Sequence, residues 1–389
     1  MAGSASCPVC RQTETETTVE LRGVPVFCNV QYPSAEEARA QPTGDLVLEL
    51  CRGCGHLFNR TFDASLLDYN QEYENSLHFS AVFNQFAHDL AVGLVDRHDL
   101  RGKRVLDVGC GKGDFLSLIS DLGGNDGFGF DQSYEIGRAA IPERGTVRYF
   151  NEFFGPQHSD LCPDLITCRH VLEHIVEPVP FLKGLSDAVA EPGHCRFYLE
   201  VPNALFTVRD LGIWDLIYEH CQYFSASSLA RACTLAGIAT DDVTESFGGQ
   251  YLGLNGRIAA QESAAGTFVD PSGVVRTATR FHEAFQSKLQ RWRAALSTLP
   301  APVVVWGGGS KGVTFLNLVD RDAKVTAIVD VNPHKQGKFA PGTGHPIVSP
   351  ADLRELRPQT VLVMNPLYRD EIAGMLDGLG LSPCLTDLD

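Results

Sequence analysis

Long apolar runs are missing from this chain. No stretch approaches the roughly 20 apolar residues that a membrane-crossing helix needs. The opening MAGSASCPVC has no basic region followed by an apolar one, which argues against a secretory signal. A cytoplasmic protein with no membrane partner is therefore expected. Positive charge is scarce as well: 32 Lys and Arg stand against 48 Asp and Glu, a formal net charge of −16. Such a surface repels phosphate backbones, so nucleic acid is not an expected partner, although a local basic pocket can still hold a small anion. A disulfide framework is also missing. Of 12 cysteines, four sit in CxxC pairs and the rest are scattered as core or free thiols would be.

The length of 389 residues and a 44% hydrophobic content suit two or three globular domains, as a monomer or a homodimer. Residues up to roughly 65 are short on helical periodicity and rich in turn formers. A helical pattern runs from about Ser80 to His98, with Phe83, Phe86, Leu90 and Leu94 near one face. Strands then alternate with helices, beginning at Arg104, Asp126, Asp164 and Cys195, which predicts a parallel, doubly wound sheet. The segment from Ala260 to Ser272 is small and polar, a linker by composition. A helix is expected from about Val274 to Leu296, its apolar face built by Phe281, Phe285, Leu289, Trp292 and Leu296. A second strand, glycine loop and helix start at Val303. The fold class is α/β, divided into an N-terminal module at 1–66, a central Rossmann-like domain at 67–262 and a smaller Rossmann-like domain at 263–389.

Cys7-x-x-Cys10 and Cys51-x-x-Cys54 are two knuckles whose thiolates can converge on one tetrahedral zinc. A site closed by four sulfurs is structural rather than catalytic. The alternatives are metal-free thiols, or His56 in place of one cysteine. Val105 to Gly113 reads D-x-G-x-G-x-G after an apolar strand. Asp107 ends that strand, and Gly109, Gly111 and Gly113 let the backbone pass close to a ligand. Asp131 ends the next strand, where a carboxylate can accept ribose hydroxyls, with Gln132 beside it. The dinucleotide spacing is absent from this loop, and its carboxylates suit a cationic cofactor without phosphates. These features resemble the S-adenosylmethionine site of class I methyltransferases. His170 borders the methionine part of that cofactor or is structural, Glu173 and His174 start or cap the next helix, and Asn151 and Phe153 touch adenine.

Glu219 and His220 lie in a segment dense in acid–base groups, with Tyr218 and Tyr223 nearby. A histidine oriented by a carboxylate can take a proton near neutral pH, and the plain alternative is a buried polar turn. The second loop, Gly307-x-Gly309-x-x-Gly312, has dinucleotide spacing, with Asp330 ending the next strand. Ser310 and Lys311 suit a diphosphate at a helix start. A bound NAD(P), or a loop that only packs helix on sheet, are the alternatives. Asn365, Pro366 and Tyr368 end another strand at the same edge.

The chain as a whole resembles the zinc-containing sugar C-methyltransferases of deoxysugar biosynthesis. The resemblance rests on the paired CxxC continuing to Asn59, Tyr73-Glu-Asn-Ser, VLDVGCGKGDFL, RHVLEH, EVPN from Glu200 to Asn203, EH-x-x-YFS from Glu219 to Ser225, and WGGGSKG. It implies methylation of a nucleotide-linked keto-deoxysugar at the carbon beside the ketone. His220 would then be the base, Glu219 would orient it, and a tyrosine, Tyr73 or Tyr218, would hold the enolate. Tyr223, Asn203, Gly309, Ser310 and Lys311 would bind substrate. The family pattern Tyr-x-Glu-His is altered here, with Ile217 two before Glu219 and the tyrosine moved to Tyr218. O- or N-methylation of another small metabolite is the second reading, and a non-catalytic zinc-bearing binding protein the third.

Overall fold

The computed structural model describes residues 6–67, 73–189, 193–259, 269–320 and 322–388. Most of the small polar segment 260–272 lies outside them. Three sheets carry the fold. The first holds β1 (Thr15–Pro25), β2 (Thr43–Cys51) and β3 (Leu57–Asn59). The second holds β4 (Arg104–Val108), β5 (Asp126–Phe130), β6 (Thr146–Phe150), β7 (Leu165–Arg169) and β8 (Arg196–Pro202). The short strand β9 (Gln222–Tyr223) leaves that second unit and pairs antiparallel with β3, Leu57 opposite Tyr223. Strands β10 (Ile238–Ser246) and β11 (Tyr251–Ile258) complete the second sheet.

The second sheet runs β10-β11-β8-β7-β4-β5-β6. Strands β4 to β8 are parallel, and β11 is antiparallel to both of its neighbours. Chain order reverses at β4, with β5 on one side and β7 on the other. That is where an open α/β sheet leaves a crevice for a ligand. The third sheet, β12 (Val303–Trp306), β13 (Val325–Val329), β14 (Ile347–Val348), β15 (Thr360–Val363) and β16 (Cys384–Asp387), is parallel in the order β14-β13-β12-β15-β16. Its reversal falls at β12, beside the second glycine loop.

The expected helix at Ser80 is present as Ala81–His98, capped by the Ser80 hydroxyl, with Phe83 and Leu94 buried. The helix expected from Val274 to Leu296 is two helices, Ser272–Thr279 and Phe281–Leu296, meeting at Arg280. Both present apolar faces to one core, so the chain bends to follow it. Phe281, Phe285, Leu289, Trp292 and Leu296 are all buried. That core is continuous from Val19 and Leu48 of the first sheet, through Trp214 and Tyr223, to Val305 and Ile328 of the third. The first and third sheets therefore share one apolar interior, and the segment carrying Glu219 and His220 runs through it.

Candidate active site

A cavity of about 720 Å³ lies where the three sheets meet. On one wall is the loop after β4. Asp107 is buried and accepts a hydrogen bond from Thr167 Oγ1 at 2.7 Å. Burial pushes its carboxyl up to about 6, against the pull of Thr167 and Arg169. A cationic ligand beside it would restore the charged form. Gly109 has φ 72°, and a Cβ there would lie 2.1 Å from Val171 Cγ2, so only glycine fits. Asp131 accepts from the Gly111 N–H at 2.8 Å and from the Ser133 N–H and hydroxyl at 2.6 and 2.7 Å. Asp107, Gly109, Gly111, Asp131 and Gln132 line the cavity, and Phe153, 71% exposed, stands at its edge. Gly113 and Asn151 do not line it. Gly113 caps the helix Asp114–Gly123, and Asn151 donates to the Tyr134 carbonyl at 2.8 Å.

The floor is a buried charge network after β7. Arg169 donates to Glu200 Oε1 at 2.7 and 3.0 Å and stacks on Phe115. Burial opposes the charge on Glu200, but Arg169 and His170 hold it down to about 2. His170 sits 3.1 Å from Glu200 and 3.6 Å from Glu173. Burial works against its proton, yet the two carboxylates lift it to about 9, so it is an imidazolium at neutral pH. Its φ of 55° is unusual for a residue with a Cβ, a conformation that clusters at functional sites. Glu173 and His174 do not cap a helix. They lie in the single turn Leu172–His174, and the next helix begins only at Pro178. Pro178 takes the first position of that helix, where proline is favoured, and Glu173 and His174 in the turn before it line the cavity.

The acceptor wall is the turn before β9. His220 lines the cavity, with its buried Nδ1 lacking a hydrogen-bond partner among the described residues. Burial, then His174, His170 and Lys311, lower it well below the usual histidine range, so it is neutral. Its ring packs edge-on against His174 with centroids 5.0 Å apart. Glu219 does not orient it. Adjacent side chains diverge in this turn, and the Glu219 carboxylate accepts from the Cys28 N–H at 2.8 Å. Burial raises that carboxyl to about 7, against the Cys28 amide, the Tyr73 phenol and Lys335. Glu219 therefore meets Tyr73, which lines the cavity, rather than His220.

Tyr218 is turned away from the cavity. Its hydroxyl accepts from the Asp63 N–H at 2.8 Å, and its ring stacks on Phe62. The position facing the cavity is Ile217. The one-residue shift of the tyrosine thus removes it from the site. Tyr223 and Asn203 also lie outside the lining. The Tyr223 hydroxyl donates to the Ile217 carbonyl at 3.0 Å, and Asn203 caps the helix Ala204–Val208.

Opposite stands the loop after β12. Gly309, Ser310 and Lys311 line the cavity at the start of the helix Ser310–Val319. Lys311 is ion-paired with Asp215. Lys335, which no local motif announces, reaches the Gly308 carbonyl at 3.3 Å and borders the same space. Asn365 and Tyr368 join the lining, Pro366 does not.

At the outer end of the first sheet, Cys7, Cys10, Cys51 and Cys54 form one cluster. The Cys7–Cys54 and Cys10–Cys51 sulfurs are 3.7 and 3.5 Å apart. Tetrahedral Zn–S bonds of about 2.3 Å place sulfurs about 3.8 Å apart, so the quartet fits zinc. His56 takes no part. Its nitrogens meet Gln222 at 2.8 Å and Ser228 at 3.3 Å, and burial lowers it to about 4. No described helix is long and apolar enough to cross a membrane.

Comparison with known proteins agrees with this geometry. The profile of a family described as a methyltransferase domain matches residues 80–243, and that of a C-methyltransferase C-terminal domain matches 259–379. A ubiquinone biosynthesis O-methyltransferase of Aromatoleum aromaticum is 31% identical over 172 residues, 40% of this chain and 72% of that one. The enzyme of the same description from Aliivibrio fischeri is 32% identical over 110 residues, 27% of this chain. There the chain spans only 47% of its relative's length. Among solved structures, a magnesium protoporphyrin IX methyltransferase from Synechocystis with bound S-adenosylhomocysteine is 17% identical, covering 46% of this chain and 84% of that one with a TM-score of 0.36. With the loop after β4, its two strand-end carboxylates, the methyltransferase-domain profile and the 31% identical relative covered to 72%, the chain belongs to the S-adenosylmethionine-dependent methyltransferases.

Proposed function

We propose that this enzyme methylates a nucleotide-linked keto-deoxysugar at the carbon beside its ketone. The observation that carries the reading is the placement of His220, uncharged and lining the cavity between the loop after β4 and the loop after β12. The match of residues 259–379 to a C-methyltransferase C-terminal domain supports carbon as the acceptor atom. S-adenosylmethionine, held by Asp107, Asp131 and the glycine loop, supplies an electrophilic methyl group. His220 removes the proton from the acceptor carbon. Tyr73, kept in place by Glu219, donates a hydrogen bond to the oxygen that gains charge. Ser310, Lys311 and Lys335 hold the diphosphate at the helix start. The cysteine quartet holds a structural zinc that fixes the N-terminal sheet and, through β9, the turn bearing His220.

The test is incubation with labelled S-adenosylmethionine and nucleotide-linked 4-keto-deoxysugars in deuterium oxide. Expected are methyl transfer to carbon and deuterium entry at the α position, both falling about 10²–10⁴-fold in His220→Ala while cofactor binding persists. Transfer to oxygen without exchange would move the assignment to O-methylation. The named O-methyltransferases favour that second reading, but their similarity covers only 27% and 40% of the chain.

A further inference from the structure

One buried carboxylate that the methyl-transfer reading leaves idle touches both Rossmann-like units. Glu74 follows Tyr73, and its side chain is 7% exposed. Its Oε2 accepts from Arg138 at 2.7 Å, and its Oε1 accepts from Asn332 Nδ2 at 3.0 Å. Arg138 belongs to the segment that leaves β5 after Asp131, and Asn332 to the segment that leaves β13 after Asp330. Glu74 thus grips the corresponding segment of each unit. Burial opposes its charge, but Arg138 and Asn332 hold the carboxyl below its ordinary range, so it is ionised at neutral pH.

On each side the contacts continue as far as a glycine loop. Towards the cofactor, Arg138 donates to Glu135 at 3.3 Å, and Glu135 accepts from Lys112 at 2.6 Å. Lys112 stands between Gly111 and Gly113, with its side chain 2% exposed. Towards the third sheet, the Asn332 N–H donates to Asp330 Oδ1 at 2.8 Å, and Asp330 Oδ2 accepts from the Gly308 N–H at 2.7 Å. Charges alternate in sign from Lys112 through Glu135 and Arg138 to Glu74, so each group holds its neighbour in place. Charge-assisted hydrogen bonds fix geometry more firmly than neutral ones, and contiguous polar networks can carry energetic coupling between sites. A ligand in the first loop fixes Asp131 and the segment after it. Ordering of Glu74, Asn332 and the second loop is then partly complete before a second ligand arrives.

We propose that Glu74 is a positioning residue that couples the two glycine loops, so that a ligand on one tightens the other. The effect is reciprocal. Cofactor in the first loop raises the affinity of the second loop for an anion, and the anion raises the affinity for cofactor by the same factor. The enzyme thereby favours the state that holds both reactants over states that hold one. That the anion is the diphosphate of the substrate rests on the acceptor reading above, whereas the coupling rests on the network alone.

The experiment is hydrogen–deuterium exchange of the full-length, zinc-loaded chain with and without S-adenosylhomocysteine, a ligand of the first loop only. In wild type it should slow exchange at least about fivefold in residues 307–312 and 330–335, as well as in 109–113. Glu74→Gln, nearly the same in shape, should abolish the slowing at 307–312 and 330–335 and keep it at 109–113. Asn332→Ala cuts the network on its far side and should do the same, so it decides the matter if the first variant does not fold. Arg138→Lys, which keeps the charge, should restore part of the effect. No slowing in the second loop of wild type, or slowing of equal size in both variants, would overturn the proposal. Loss at 109–113 as well would overturn it by making Glu74 a structural residue of the cofactor site. Thymidine and uridine diphosphates provide the second arm. Either one should raise S-adenosylhomocysteine affinity in wild type and not in Glu74→Gln. If neither binds while the exchange pattern holds, the coupling stands and the diphosphate assignment of the second loop falls.

Discussion

The two glycine loops of this chain are built alike and surrounded differently. Each follows a central parallel strand, opens a helix, and is tied by a loop N–H to the aspartate of the next strand: Gly111 to Asp131, Gly308 to Asp330. In the first loop three glycines have positive φ, and the backbone winds around Asp107. In the second only Gly307 does, and the chain runs on into a helix flanked by Lys311 and Lys335. One loop offers carboxylates to a cation, the other lysines and a helix start to an anion. Loop shape alone does not set the sign of a ligand; the neighbouring charges do.

That contrast can be broken most sharply at Asp107. Asp107→Asn should weaken S-adenosylmethionine about 100-fold while leaving nucleotide-sugar affinity unchanged, both by calorimetry. Equal loss of both ligands would erase the division of labour. Next in size is Gly312→Ala. A Cβ there would lie 2.0 Å from the Gly307 carbonyl oxygen. Unfolding in denaturant should show a loss of about 1–3 kcal/mol. A neutral result would mean the second loop is not tightly packed. Lys311→Met should raise the KM for the nucleotide sugar about tenfold and leave that for the cofactor alone. The effect is moderate because Lys311 already neutralises Asp215. The smallest expected effect is a pH dependence. Asp107 titrates at about 6. Below that value it gains a proton and loses its attraction for a cation, so cofactor affinity should fall about fourfold by pH 5.5. Flat affinity from pH 8 to 5 would place the cation elsewhere.

The sheet strands, both glycine loops and the carboxylates ending β4 and β5 are legible in the sequence because each depends on a few consecutive residues. So is the buried face of Phe281–Leu296, since helical periodicity is local. What sequence reading misses is set by contacts far apart in the chain. Nothing around Gln222 says that it extends a sheet begun at Thr15. Lys335 enters the cavity only because β13 and the loop after it pass beside Gly308. Glu173 and His174 lie in one tight turn, and the helix expected to start there begins only at Pro178. Tyr218 lay within reach of sequence reasoning: a shift of one position turns a side chain to the opposite face, and the structure shows Ile217 in its place.

The pairing of β3 with β9 also bears on how the protein is made. Leu57 finds its partner only at Tyr223. At about 5–20 residues per second, a ribosome delivers that partner some 10–30 seconds after the cysteine knuckles have emerged. For that interval the N-terminal sheet has an unpaired edge, while all four clustered cysteines have already emerged. Early metal capture would hold the knuckles together until the fourth strand arrives, so the order of synthesis itself gives the quartet a task before there is any active site to support.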